Sequence, residues 1–169
     1  EGGLSMREAV MTVGKVVKDD AFVVTDVGQH QMITAQNYNF KYPRTFISSC
    51  GLGTMGYGLG AAIGVKTANP DRQVVLISGD GSFHMNLCEL ACAVTENLPI
   101  TIVVFNNSVL GMVRQWQRLF YKARYSNTDL KRKTDLVMLA KAFGAQGCKA
   151  NNAAELENAL KAAVAYNGP

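Results

Sequence analysis

Two runs of mostly apolar, β-branched residues, Gln73–Ser78 and Ile100–Phe105, constrain the fold of this chain more than any other feature. Side chains of a strand point alternately to its two faces, so a run that is apolar at successive positions predicts a strand covered on both faces. Between the two runs, Asn86–Asn97 carries apolar residues at helical spacing. A strand, a helix and a second strand of this kind predict parallel strands joined by a crossover helix.

The same alternation continues along the rest of the chain. Further strands are predicted at Ala21–Thr25, Thr45–Ser49 and Ala145–Lys149. Further helices are predicted after the capping residues Ser5, Thr134 and Asn152, after the glycine-rich segment Gly51–Gly60, and near Gly111–Phe120. The sequence therefore predicts an α/β domain with three layers, αβα, around a mainly parallel sheet.

Length and composition favour one globular domain covering residues 1–169. With 169 residues, of which 48% are hydrophobic and 18% charged, the chain can bury a sizeable core. The net charge of +4 is too mild to require a nucleic acid or a membrane as partner. We expect a piece of a longer chain, because Glu1-Gly2-Gly3 leads directly into a capped helix and the last residues form a turn.

The cysteines and the hydropathy of the sequence indicate the cellular compartment in which the protein is expected. The four cysteines contain no Cys-x-x-Cys pair, so a secreted disulfide scaffold is not supported, and we expect small buried thiols at Cys50, Cys88, Cys92 and Cys148. No apolar run of the sequence is long enough for a membrane-spanning helix. We therefore expect a cytoplasmic protein that does not associate with membranes.

Polar, glycine-containing segments follow three of the predicted strands: Asp26–Gln31, Gly79–Phe83 and Asn106–Gly111. In parallel sheets of this class, ligands bind beyond the carboxyl ends of the strands. The three segments are therefore expected to form one ligand site.

Two of these segments carry the chemistry of a magnesium and phosphate site. Asp80 offers a carboxylate, Asn107 an amide oxygen, and Val109 a backbone carbonyl, and such hard oxygen ligands suit Mg²⁺. Gly79 and Gly81 allow the backbone to approach a phosphate, and a helix starting near Ser82 would offer N–H groups to it. Taken alone, a Gly-Asp-Gly turn and an Asn pair also occur as plain turns.

The spacing of the two segments resembles a known signature. Gly79-Asp80-Gly81, twenty-four intervening residues and Asn106-Asn107 are similar to the thiamine diphosphate motif of the enzymes related to pyruvate decarboxylase. The resemblance covers nearly the whole chain and implies the carboxy-terminal diphosphate-binding domain of these enzymes, with the thiamine diphosphate-binding fold. The segments most similar to the acetolactate synthase (acetohydroxyacid synthase) family are Gly28–Met32, Gly51–Gly56 and Gly111–Gln117.

The resemblance implies a role for individual residues. Mg²⁺ would be held by Asp80, Asn107 and the carbonyl of Val109. The diphosphate end of the cofactor would contact Val27, Gly28, Gln29, His30, Gly79, Gly81 and Ser82. The aminopyrimidine would meet Gly53 and Met55, while Gly111 and Met112 complete the cofactor site. The catalytic residues beside the reacting carbon and at the substrate entrance would be Met112, Val113 and Trp116.

The resemblance further implies decarboxylation of pyruvate and its carboligation to a second 2-ketoacid, in branched-chain amino acid biosynthesis. The family activates the cofactor with a Glu from the pyrimidine-binding domain of a neighbouring subunit, whereas the glutamates here fall on predicted helix faces or at Glu1. FAD binds mostly in a middle domain that these residues do not include. We therefore expect a homo-oligomer, in some cases with a regulatory small subunit, and no turnover by this chain alone.

Other interpretations remain open at this point. Gly51-x-Gly53-x-x-Gly56 also matches a dinucleotide fingerprint, although Asp71 follows in a turn rather than at a strand end. The basic and aromatic residues of 114–125 could contact single-stranded nucleic acid, which the mild charge disfavours. A different 2-ketoacid decarboxylase or carboligase, or a non-catalytic binding module of the same fold, is also compatible with the motifs. His84 has no assigned role.

Overall fold

The computed structural model describes residues 3–169, and Glu1 and Gly2, on which the expected cut start depends, lie outside the described residues. Four parallel strands of these residues form one sheet: β1 (Phe22–Thr25), β2 (Phe46–Ser48), β3 (Val74–Gly79) and β4 (Ile100–Phe105). They lie side by side in the order β2-β1-β3-β4. The predicted parallel sheet is therefore confirmed.

Helices cover both faces of this sheet, which confirms the three predicted layers. They are α1 (Met6–Val16), α2 (Gln29–Asn37), α3 (Tyr57–Ala68), α4 (Asp80–Asn86), α5 (Leu90–Thr95), α6 (Gly111–Phe120), α7 (Leu136–Phe143) and α8 (Ala153–Ala165). On one face α1, α2 and α8 pack against Val23, Val75 and Ile77. On the other face α3, α5 and α7 pack against alternate residues of the same strands, including Val24 and Leu76.

The helix boundaries follow local capping chemistry, and one predicted cap is corrected by the structure. The Ser5 capping box starts α1 and Asn152 caps α8, as predicted. The side chain that caps α7 is Asp135 rather than Thr134, and its carboxylate accepts the N–H groups of Val137 and Met138.

The single helix predicted at 86–97 is divided. α4 already begins at Asp80, a 3₁₀ turn spans Leu87–Glu89, and α5 follows. The break falls at Asn86, whose backbone leaves the helical region with φ −138° and whose side chain donates to the carbonyl oxygen of Gly56. A tertiary hydrogen bond thus replaces a turn of helix.

The strand predicted at Ala145–Lys149 is wrong, because these residues form no strand. Residues 145–151 line, together with β4, a cavity of about 1310 Å³, and they do not extend the sheet. The expectation of buried cysteines is also wrong: all four thiols are free and exposed, and the helical spacing of Cys88 and Cys92 directs both to solvent. Among residues 3–169, no helix is long and apolar enough to span a membrane.

Candidate functional site

Four loops meet at the carboxyl edge of the sheet, as the parallel register requires. Thr25 lies beside Ile77, and Gly79 beside Phe105, so the segments that follow β1, β3 and β4 are neighbours. The fourth loop is the glycine-rich segment between β2 and α3. Side-chain hydrogen bonds join the loops, since Ser82 Oγ donates to the carbonyl oxygen of Val27 at 2.7 Å. The sheet thereby brings the predicted phosphate-binding segments together.

The carboxylate of Asp80 is the most informative group of this edge. Its side chain is buried, with 3% of the residue exposed. One oxygen, Oδ2, accepts the backbone N–H of Ser108 at 3.0 Å. The other oxygen, Oδ1, is buried with no hydrogen-bond partner among the described residues. Because a buried carboxylate oxygen without a partner is costly, this position fits a bound cation.

The segment after β4 is held in a defined shape beside Asp80. Asn107 is exposed, and its Oδ1 accepts the backbone N–H of Val109 at 3.1 Å. Val109 forms an isolated antiparallel bridge with Asp129, flanked by hydrogen bonds between the backbones of 108–110 and 128–130. An amide oxygen has two lone pairs, so Asn107 can make this turn and still bind a hard cation. The donor set fits Mg²⁺ in the composition that the sequence predicted.

Side chains of neighbouring loops pack so closely against the glycines of this edge that none of these positions has room for a Cβ. A Cβ at Gly79 would lie 2.9 Å from Nδ1 of His30, and a Cβ at Gly81 would lie 2.9 Å from the Leu110 side chain. A Cβ at Gly111 would overlap the side-chain oxygen of Gln29. The methyl group of Met55 lies 3.7 Å from the Cβ position of Gly81, which places Met55 against the Gly-Asp-Gly turn.

His30 is a buried, neutral imidazole at this edge. Only 4% of the residue is exposed, and burial lowers the pKa of His30 to about 4, although the nearby charge and backbone carbonyl of Asp26 act in the opposite direction. Its Nε2 is buried without a hydrogen-bond partner in the part of the chain that the structure describes. At neutral pH the Nε2 atom of His30 can therefore form a hydrogen bond with a ligand, as donor or acceptor, while the imidazole stays uncharged.

Asp26 is a site residue that the sequence reasoning did not single out by itself. Its carboxylate is 2% exposed and accepts three backbone N–H groups, from Val27 at 2.8 Å, Gly56 at 2.9 Å and Gly58 at 3.1 Å. An Asp directly after a buried strand is the available signal, but two of its three partners, Gly56 and Gly58, lie 30 and 32 residues away. Asp26 thus joins the loop after β1 to the glycine-rich loop.

This contact also disfavours the dinucleotide interpretation. In a dinucleotide-binding helix, the N–H groups at the helix start hold a pyrophosphate. At the start of α3, the carboxylate of Asp26 takes the N–H groups of Gly56 and Gly58. Asp71 lies exposed in a turn before β3, away from a strand end.

Helix α6 carries the residues predicted to be catalytic, and it is attached mainly through polar contacts. Gln29 donates to the side chain of Gln115 at 2.8 Å, and Arg114 forms an ion pair with Asp129 at 2.8 Å. Val113 is 48% and Trp116 58% exposed. The structure therefore brings Gly111 to the loop after β1 and leaves the apolar side of α6 exposed.

Two further predicted cofactor contacts, Gly28 and Gly53, lie on the loops of the same edge. Gly28 precedes α2 as its N-cap residue. Gly53 adopts the left-handed conformation with φ +64°, and its Cβ position lies 3.8 Å from Val27. His84 lies behind Asp80, and its ring nitrogens form hydrogen bonds within the protein, to the carbonyl oxygen of Asp80 and the hydroxyl of Thr134.

The family of the chain follows from a match over most of its length. Residues 26–169 match the model described as "Thiamine pyrophosphate enzyme, C-terminal TPP binding domain". The chain belongs to this family of thiamine pyrophosphate-binding domains. The resemblance to thiamine diphosphate enzymes that the sequence motifs indicate is thereby confirmed.

Curated relatives narrow the similarity to one group of enzymes. The chain is 45% identical over 158 residues to the acetolactate synthase large subunit of Buchnera aphidicola subsp. Schlechtendalia chinensis, covering 94% of this chain and 28% of the relative. It is 50% identical over 150 residues to the acetolactate synthase isozyme 2 large subunit of Escherichia coli (strain K12), covering 89% of this chain and 27% of the relative. The chain thus spans less than a third of the length of these relatives.

A solved structure shows the same fold. The thiamine diphosphate-dependent 4-hydroxybenzoylformate decarboxylase of Rhodococcus jostii RHA1 superposes with a TM-score of 0.92 at 27% identity, over 100% of this chain and 32% of that chain. The predicted αβα fold is therefore confirmed by a related enzyme domain.

Proposed function

We propose that this chain binds thiamine diphosphate through Mg²⁺ and serves as the carboxy-terminal cofactor-binding domain of an acetolactate synthase. The observation that carries the proposal is the buried Asp80 Oδ1, which has no hydrogen-bond partner among residues 3–169 and lies between two glycines at the edge of the sheet. The similarity to acetolactate synthase large subunits at 45–50% identity supports this choice among thiamine diphosphate enzymes.

The residues of the chain would bind and orient the cofactor. Asp80, Asn107 and the carbonyl of Val109 would hold Mg²⁺, which neutralises the diphosphate. The uncharged Nε2 of His30 and the backbone of Gly28 and Gly79 would contact the diphosphate oxygens. When bound, thiamine diphosphate supplies the electron sink that decarboxylation of a 2-ketoacid requires.

The substrate side of the site would be apolar. Met55, on the glycine-rich loop and against the Gly-Asp-Gly turn, would support the ring system of the cofactor, with Gly53 on the same loop. Met112 and Val113 at the start of α6 would lie near the reacting carbon, and the exposed Trp116 would face the incoming 2-ketoacid. Pyruvate and a second 2-ketoacid are the substrates that this proposal assigns.

The complete enzyme would need parts that these residues do not include. We propose a homo-oligomer in which the pyrimidine-binding domain of a neighbouring subunit contributes the activating Glu. FAD would bind mostly in a middle domain, a regulatory small subunit would bind elsewhere, and the assembly would be cytoplasmic. The isolated chain would then bind cofactor without turnover, and acetolactate formation by the pure chain would contradict this.

A second candidate is another thiamine diphosphate-dependent 2-ketoacid decarboxylase. The structural similarity to the Rhodococcus 4-hydroxybenzoylformate decarboxylase favours this class, although its identity of 27% is well below that of the acetolactate synthases. Both candidates share the cofactor site and differ in the second substrate.

Calorimetric titration with thiamine diphosphate, with and without Mg²⁺, tests the proposal. Binding is expected only with Mg²⁺, and Asp80→Ala should abolish it because the buried metal ligand is lost. Asp71→Ala is a matched control, since Asp71 is an exposed aspartate before β3, at the opposite edge of the sheet. Binding without Mg²⁺, equal binding by Asp80→Ala, or binding of NAD instead would contradict the proposal.

A further inference from the structure

The glycine-rich loop between β2 and α3 is anchored to the rest of the site mainly at one end. Its first half is held by local contacts, where the N–H of Thr54 donates to the hydroxyl of Ser49 at 3.1 Å and Leu52 is 95% exposed. At its second half, the N–H groups of Gly56 and Gly58 donate to the buried Asp26 carboxylate. The position of this end therefore depends on Asp26.

The backbone around Asp26 is shaped for this contact. Gly56 has φ +89°, a left-handed conformation that favours glycine. A Cβ at Gly58 would lie 2.9 Å from Oδ2 of Asp26 and 2.8 Å from the Leu76 side chain, so only glycine allows the carboxylate to approach. The carbonyl oxygen of Gly56 accepts from Asn86 of α4, which ties the same residue to the helix after the Gly-Asp-Gly turn.

Met55 immediately precedes this anchored residue. Its methyl group lies 3.7 Å from the Cβ position of Gly81, next to the carboxylate that would hold Mg²⁺. A thioether contacts the apolar ring portion of a ligand, whereas the diphosphate is held by charged and polar groups on other loops. The carboxylate of Asp26 accepts two N–H groups of the loop that carries Met55, from Gly56 and Gly58, but on the diphosphate side only that of the adjacent Val27. Asp26 therefore acts mainly on the half of the site that would meet the rings.

We infer that Asp26 is a positioning residue that places Met55 over the Gly-Asp-Gly turn and so selects for the ring portion of thiamine diphosphate. This inference rests on the proposed function. Hydrogen bonds from backbone N–H groups to a buried carboxylate are strong, so Asp26 holds the loop more firmly than a neutral residue would. In Asp26→Asn, an amide NH₂ group replaces one carboxylate oxygen and faces a backbone N–H that it cannot accept.

The first test compares two ligands in the presence of Mg²⁺. For Asp26→Asn, the affinity for thiamine diphosphate should fall about tenfold or more, while the affinity for inorganic pyrophosphate, which lacks the rings, should stay within about twofold. Leu160→Ala is the control, because Leu160 is buried on the opposite face of the sheet in contact with other helices, and its loss lowers stability without touching the loop. This control should leave both affinities unchanged.

The second test reports on Met55 without any ligand. In a chain labelled with ¹³C at the methionine methyl groups, and with the Met55 signal assigned through Met55→Leu, the Met55 signal should shift in Asp26→Asn and stay in Leu160→Ala. If Asp26→Asn does not fold, Gly58→Ala displaces the same contact from the other side and should shift the same signal.

The outcomes separate the two proposals. The inference alone would be overturned if the wild-type chain binds thiamine diphosphate with Mg²⁺ and the Asp26→Asn variant binds it with equal affinity. The same holds if Asp26→Asn loses affinity for thiamine diphosphate and for pyrophosphate to the same extent. A wild-type chain that binds neither ligand would contradict the proposed function, and an unmoved Met55 signal would then overturn the inference independently.

Discussion

Burial of His30 predicts a specific dependence of stability on pH. The pKa of His30 is lowered to about 4 by burial, against an ordinary value of 6.5 in the unfolded chain. Between these two values the unfolded state binds a proton that the folded state does not, so the free energy of unfolding falls as the pH falls from about 6.5 to about 4. At about 1.4 kcal/mol for each pH unit, the loss amounts to about 3 kcal/mol, a large part of the stability of an ordinary domain.

Replacing the imidazole with a ring that does not titrate isolates this contribution. Urea unfolding of the ligand-free chain would be followed at several pH values between 4 and 7.5 for the wild type and for His30→Phe. Carboxylates titrate in the same range in both proteins. The difference between the two proteins in how the free energy of unfolding changes with pH therefore reports the contribution of His30. We expect the wild type to lose about 3 kcal/mol more than His30→Phe over this interval.

The second histidine of the chain provides the control. His84 is half exposed and hydrogen-bonded at both ring nitrogens, and His84→Gln should keep the pH dependence of the wild type because His30 is still present. Parallel curves for the wild type and His30→Phe would refute the reasoning, since they would mean that His30 is hydrated or is protonated in the folded chain.

Three further predictions concern stability and are read from urea midpoints. Gly58→Ala should lower the free energy of unfolding by about 1–3 kcal/mol, because its Cβ would lie 2.8 Å from the Leu76 side chain. Gly60→Ala in the same helix, where a Cβ would have nothing within 4 Å, should raise it by about 0.5 kcal/mol. Equal effects of the two substitutions would contradict the packing argument. Ser5→Ala should cost about 1 kcal/mol through loss of the capping box, and an unchanged midpoint would show that α1 does not need its cap. Lys66→Met should cost about 1–3 kcal/mol, because its ammonium group donates to two backbone carbonyls of the turn after α3, and a more stable variant would refute this.

The sequence by itself determined the layers of the fold and which polar, glycine-containing segments lie at the carboxyl edge of the sheet. The continuous apolar runs of β3 and β4 predict strands that are covered on both faces, and this local pattern sufficed for a parallel sheet with helices on each side. β3 is buried from Val74 to Ser78, whereas β4 is only partly buried after Ile100. The Gly-Asp-Gly and Asn-Asn segments were readable because each follows a strand, and parallel neighbours end at one edge. The caps of α1 and α8 were equally local, since their partners lie three residues away.

Only the tertiary structure decided which polar groups meet and which stay without a partner. The carboxylate of Asp26 binds N–H groups about thirty residues away, and Asn86 ends α4 by bonding to Gly56, so neither contact has a local signature. The missing strand at 145–149 has the same cause, because a strand needs backbone hydrogen bonds to a neighbouring strand, and these residues only line a cavity that β4 also lines. Local pattern shows what a segment can form, whereas hydrogen bonds between distant segments exist only where the packed chain places donor beside acceptor.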